Sequence, residues 1–110
     1  MWLFLFLACT GAREADTASG LCADAPVVTY ETFGAGFMTE NCQSCHASTS
    51  PDRKGAPAHV VFDTVDDVWA NKTRVIGLAV TAVTMPPLGG TTADDRALLE
   101  IWLTCAEEGT

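Results

Sequence analysis

The sequence predicts an all-α domain. Three observations carry that expectation. Apolar residues recur every three or four positions in three separate stretches, and a Thr stands where each stretch would need its N-terminal cap. No run alternates apolar and polar residues for long enough to make a half-buried strand. At 110 residues the chain has room for one small domain. Hydrophobic residues make up 48% of it, enough for a core, although domains of this size often rely on cross-links or a cofactor as well.

Residues 1–8, Met1-Trp2-Leu3-Phe4-Leu5-Phe6-Leu7-Ala8, form an unbroken apolar run. A bilayer span takes about 20 apolar residues, so the run reads instead as the apolar part of an export signal. It ends in a small residue followed by Cys9 and a polar stretch. That order resembles a bacterial lipoprotein cleavage site, and the resemblance implies a lipid on Cys9 and a location on the periplasmic side of a bacterial membrane. The alternative is an ordinary secretory signal with Cys9 as a bystander. Residues 9–26 turn to Thr, Ala, Gly, Ser, Asp and Glu, the composition of a flexible tether. The folded domain is then expected at residues 27–110.

Within that domain the first helix is expected from about Tyr30 to Asn41. Tyr30, Phe33, Phe37 and Met38 fall at helical spacing behind a cap at Thr29. A middle stretch opens at Asp63-Thr64, where Thr64 and Asp67 have the spacing of a capping box, and Val65, Val68 and Trp69 share one face. Short helical turns continue through Lys72 to Leu78. The last helix starts at Thr92, with Asp95 in the matching position, and Leu98, Leu99, Ile101, Trp102 and Cys105 make a broad apolar face. Between the second and third stretches lies Thr84-Met85-Pro86-Pro87-Leu88-Gly89-Gly90, whose prolines exclude regular structure.

Six basic residues against 14 acidic ones give a net charge of −8. Binding a phosphate backbone needs a basic face, so nucleic acid is excluded as a partner. Asp66, Asp67, Asp94 and Asp95 fall in first helical turns, where the helix dipole favours acids. Arg53, Lys54, Lys72 and Arg74 read mainly as a solvated face, with contact to a partner or to the acidic groups of a cofactor as the alternative.

The five cysteines are Cys9, Cys22, Cys42, Cys45 and Cys105. Cys42-Gln43-Ser44-Cys45-His46 has the Cys-x-x-Cys-His pattern of c-type haem attachment. Two thiols three positions apart on one turn can each add to a vinyl group of the porphyrin, and the next residue's imidazole then lies beneath the iron as its proximal ligand. A structural zinc site would need two more ligands, with only His59 and scattered cysteines on offer. A thioredoxin-like dithiol would need a βαβ setting that this sequence lacks.

With that motif in place, the stretch from about Tyr30 to Cys105 resembles the small monohaem class I cytochromes c. In that family a Gly lies eight residues before the first attachment Cys on the N-terminal helix. Gly34 fits, with Phe37 and Met38 one turn on. An aromatic on the C-terminal helix crosses there, and Trp102 is placed for it, with Leu98 one turn earlier. The resemblance implies a cytochrome c-like fold of three to four helices around one covalently bound haem c. It also implies that the carbonyl of Pro57, eleven residues after His46, accepts the imidazole Nδ1–H.

For the sixth ligand the candidates are Met38, His59 and Met85. Met38 lies four residues before Cys42 on the same helix and belongs in the core. His59 is close to His46 in sequence, where a lone His is commonly solvated or satisfied locally. Met85 sits in a loop stiffened by Pro86 and Pro87, and it matches the family's Met-Pro pattern. Met85 is therefore the expected distal ligand, with His59 or an open site as the alternatives.

Setting aside Cys9 for lipid and Cys42 and Cys45 for haem leaves Cys22 and Cys105. In an oxidising compartment these two can form a disulfide, stabilising by up to about 4 kcal/mol on the chain-entropy model, or else remain free thiols. The functional expectation is an electron carrier, with His46 and Met85 on the iron and a redox partner whose docking surface is basic or neutral. Two other readings stay open: an open-site haem module that binds or senses a small ligand, and a tethered redox subunit of a larger periplasmic enzyme. Catalysis by this chain alone is not expected, since nothing resembles a substrate pocket with an acid–base pair.

Overall fold

In the computed structural model, which describes residues 20–110, the chain enters its first helix through a pair of threonines. The export signal at 1–8, Cys9 and most of the tether lie outside the described residues. Thr29 Oγ1 accepts the backbone N–H of Thr32 at 3.2 Å, and Thr32 Oγ1 accepts that of Thr29 at 3.1 Å. The first turn, Tyr30–Gly34, is π-helical and runs directly into α1, Ala35–Asn41. After Cys42 comes a single turn, α2, Gln43–His46. A long irregular segment then leads to α3, Val65–Ala70, opened by the expected box: Asp67 N–H to Thr64 Oγ1 at 3.2 Å and Thr64 N–H to Asp67 Oδ2 at 3.0 Å. Helix α4, Lys72–Val75, continues as a π-helical stretch, Ile76–Thr81, three residues past the expected end at Leu78. Helix α5, Ala93–Cys105, starts from the Thr92–Asp95 box. Among the described residues there is no strand, so the fold is all-α.

The centre of the core is supplied by α5, whose Leu99, Trp102 and Leu103 are buried and which packs against both π-helical stretches. Phe37 and Met38 of α1, Val68 and Trp69 of α3, Val75, Ala79, and Val60 and Phe62 from the irregular segment complete it. The tightest approach is where Gly34 meets Trp102. A Cβ on Gly34 would lie 2.5 Å from the Trp102 ring, closer than any side chain tolerates, so only glycine lets the two helices cross with the indole between them. Tyr30 and Trp69 flank the same indole, at centroid distances of 6.0 and 6.2 Å.

Two contacts close the chain on itself. Tyr30 N–H donates to the carbonyl of Thr110, the last residue, at 2.6 Å. Cys22, on a helical turn at residues 20–23, forms a disulfide with Cys105 at the end of α5, with Cα atoms 5.5 Å apart. The end of the expected tether is thus fastened to the domain, because the covalent bond orders residues that composition alone reads as loose.

Candidate functional site

The site begins where α1 ends. Cys42 leaves helical geometry, and its carbonyl accepts the N–H groups of Cys45, at 3.3 Å, and His46, at 3.0 Å, so that Cys42 starts the α2 turn. Cys42, Cys45 and His46 are thereby gathered on one turn, as their spacing predicts. Gln43 Nε2 donates to the Phe62 carbonyl at 2.9 Å and Phe62 N–H donates to the His46 carbonyl at 2.8 Å, holding that turn against the irregular segment. Both thiols are free and half-buried. Burial pushes the Cys42 thiol up to about 12, so it is a neutral thiol in ordinary buffers.

His46 is half-buried, its ring centroid 5.1 Å from that of Phe62. Its Nδ1 lies 3.0 Å from the carbonyl oxygen of Val60. A carbonyl can only accept, so Nδ1 carries a proton, and in the neutral ring Nε2 is the bare nitrogen. This is the tautomer a metal-ligating imidazole needs, held by a backbone oxygen behind the ring.

The acceptor is Val60 and not Pro57, which corrects the expectation drawn from the family resemblance. The Pro57 carbonyl is occupied by the N–H of Val60 at 3.0 Å and by Arg53 Nη2 at 2.8 Å, and that turn presents the Val60 carbonyl to the imidazole instead. Arg53 departs from expectation as well. It is half-buried rather than solvated, with Nη1 on the Ala47 carbonyl at 2.9 Å and Nη2 also on Val60 at 3.0 Å. Lys54 and Gly55, at φ 52° and 82°, turn the chain so that this guanidinium can reach all three oxygens.

Met85 stands on a separate element, the loop after the Ile76–Thr81 stretch. The N–H groups of Thr84 and Met85 both bond the Leu78 carbonyl, at 2.8 and 3.1 Å, folding the loop back on the helix, and a cis peptide joins Met85 to Pro86. Met85 is 37% exposed and belongs to a run of exposed apolar side chains that includes Leu78, Val83 and Leu88. Met38 is fully buried, as its helix position predicts. His59 is exposed, and its Nε2 accepts from Arg74 Nη1 at 3.3 Å. Of the three sixth-ligand candidates, Met85 alone has a side chain that is neither buried nor hydrogen-bonded.

No family model, curated protein or solved structure matches the chain. The site is therefore judged on its own chemistry. Cys22 and Cys105 are consumed by the disulfide and His59 is turned to Arg74. Among the described residues no three His, Cys, Asp or Glu side chains are grouped as an ion site requires, which leaves a structural zinc without its ligand set. What the sequence reading missed is the pair behind His46, Arg53 and Val60. It also missed three buried N–H donors with no acceptor among the described residues: Arg53 Nε, Trp69 Nε1 and Trp102 Nε1.

Proposed function

We propose that this chain is an electron-transfer protein carrying one electron on a single covalently attached c-type haem in a cytochrome c-like fold. The observation that carries the reading is His46, locked with Nε2 bare, directly after two free thiols on the same turn. Two further features suit the group. A buried donor without an acceptor costs about 1–3 kcal/mol, and haem propionates are strong anionic acceptors of the kind that Arg53 Nε and Trp69 Nε1 lack. A porphyrin is also a large apolar surface of the kind that Leu78, Val83 and Met85 lack.

When bound, the haem supplies an iron that alternates between ferric and ferrous. The chain's own residues do the rest. Each of Cys42 and Cys45 would form a thioether, its Sγ bonding to a vinyl carbon while the thiol proton passes to the other carbon of that vinyl. His46 Nε2 and the Met85 thioether would hold the iron, the thioether as a soft donor that would favour the ferrous state. The net charge of −8 supports a redox partner with a basic or neutral docking surface. No described helix is long and apolar enough to cross a membrane, and attachment through a lipid on Cys9 is part of the same proposal. The exposure of Met85 favours one second reading, an open-site module binding a small ligand.

The test is an absorption spectrum, oxidised and reduced, of protein expressed with a c-type haem maturation system. The expected result is a low-spin spectrum whose weak far-red ferric band is lost in Met85→Ala. A high-spin ferric spectrum would remove Met85 from the iron and favour the open site. Protein that emerges without covalent haem would sink both readings.

A further inference from the structure

Arg53 and His46 share an acceptor. The carbonyl oxygen of Val60 takes the imidazole Nδ1–H at 3.0 Å and Arg53 Nη2–H at 3.0 Å, which uses both of its lone pairs. The same guanidinium bonds the carbonyls of Ala47, the residue after His46, and of Pro57. A cation is thereby fixed one atom away from the acceptor that orients the candidate iron ligand. We propose that Arg53 is a positioning residue that lowers the donor strength of His46 by competing for the Val60 oxygen, and so raises the reduction potential of the bound iron. The proposal rests on the haem reading above.

The stronger the acceptor behind a ligating imidazole, the more electron density its Nε2 gives to the metal. A cationic donor on the same oxygen draws density from it and makes it a poorer acceptor for Nδ1–H. His46 is then a weaker donor, which stabilises ferric iron less. Removing the cation reverses each step. It also takes a positive charge away from the site, which shifts the potential in the same direction. The Nδ1–H resonance separates the two effects, because only a change in sharing of the oxygen alters that hydrogen bond.

The experiment compares the wild type with Arg53→Gln and Arg53→Lys in two states. In the haem-free chain and in the ferrous loaded protein, NMR reads the His46 Nδ1–H. The expected result is a downfield shift in Arg53→Gln, as the Val60 bond to His46 strengthens, and a smaller one in Arg53→Lys, which keeps the charge but places it on one nitrogen in place of a planar fork. In the loaded protein the midpoint potential falls in the same order. An unchanged Nδ1–H and an unchanged potential, with stability alone reduced, would make Arg53 a loop clamp and overturn the inference. Should Arg53→Gln fail to fold, Arg53→Lys decides by the same two readings. If no haem attaches to the wild type, the functional reading fails, while the haem-free spectra still decide whether Arg53 competes for the oxygen.

Discussion

At Gly34 a single hydrogen atom decides how two helices meet. Alanine would improve helix propensity by up to about 1 kcal/mol, since the residue sits at an ordinary helical φ of −60°. Against that, its Cβ would enter the ring of Trp102, which is fully buried and flanked by Tyr30 and Trp69. With no solvent side to move toward, overpacking of roughly 1–3 kcal/mol wins. Gly34→Ala is expected to lower unfolding free energy by on the order of 1–2 kcal/mol in urea titration, with the m-value retained. An unchanged midpoint would mean that the helices slide apart at no cost. This crossing was expected from the family resemblance, which sets a Gly of the first helix against an aromatic of the last, and residue size is the physical reason it holds here. The acceptor behind His46 was not legible in the sequence. Which carbonyl faces the ring depends on backbone rotation over residues 54–60, including a left-handed Lys54, and residue types do not encode that rotation.

The helices start where side-chain chemistry makes them start. Thr29, Thr64 and Thr92 each accept the backbone N–H three residues on, and in all three places the reciprocal bond is present. Such bonds are local, so single-sequence reading finds them. The π-helical turns are not local in this sense, because their extra residue per turn is selected by packing against α5, and the middle helix accordingly outruns its expected end. The two ends of the irregular segment between α2 and α3 are joined by a bond that is not local: the Asp63 carboxylate accepts the N–H of Ser48, fifteen residues earlier, at 2.9 Å. Hydrogen bonding from the Ser48 hydroxyl and then from its N–H, with a smaller contribution from the Arg53 charge, holds the Asp63 carboxyl below its usual range. A lowered folded value means that the stabilisation is complete above the ordinary carboxylate range and is lost as the pH falls through the lowered value. Acidification is therefore expected to release the Ser48 amide from Asp63 before global unfolding, seen as an early shift of the Ser48 amide resonance, while the bond between Phe62 and His46 persists. In Asp63→Ala that early transition disappears. If the Ser48 amide instead moves together with the core resonances, Asp63 has no separate role.

Across the whole molecule, stability depends on tying distant parts of a small chain together. The buried apolar core is modest, as expected for a domain of this length, and most of it comes from short helices that would not persist alone. The Cys22–Cys105 bond joins positions 83 residues apart, at the two ends of the described fold, and the Tyr30–Thr110 hydrogen bond closes the same seam. Parity of the cysteines pointed to this pair in the sequence once Cys9 was set aside for a lipid and Cys42 and Cys45 for haem, with two free thiols as the alternative, and the structure forms the bond. Cross-linking so long a loop removes much of the unfolded chain's freedom, worth roughly 2–4 kcal/mol. For a small domain that is a large share of the total, commonly about 5–15 kcal/mol. The double variant Cys22→Ser, Cys105→Ser is therefore expected to lose about 2–4 kcal/mol in urea unfolding. Its m-value should rise, because an uncrosslinked unfolded chain exposes more surface. The pattern of the loss identifies its origin. If the bond acts through the unfolded ensemble, amide exchange at Tyr30 and in α5 speeds up only by the global factor. If it acts by holding the seam shut, residues 20–30 lose protection first while Leu99 and Trp102 keep theirs. The internal hydrogen bond between Tyr30 and Thr110 does not depend on the sulfurs, so the first pattern is the expected one. Selective exchange confined to residues 20–30 would overturn it.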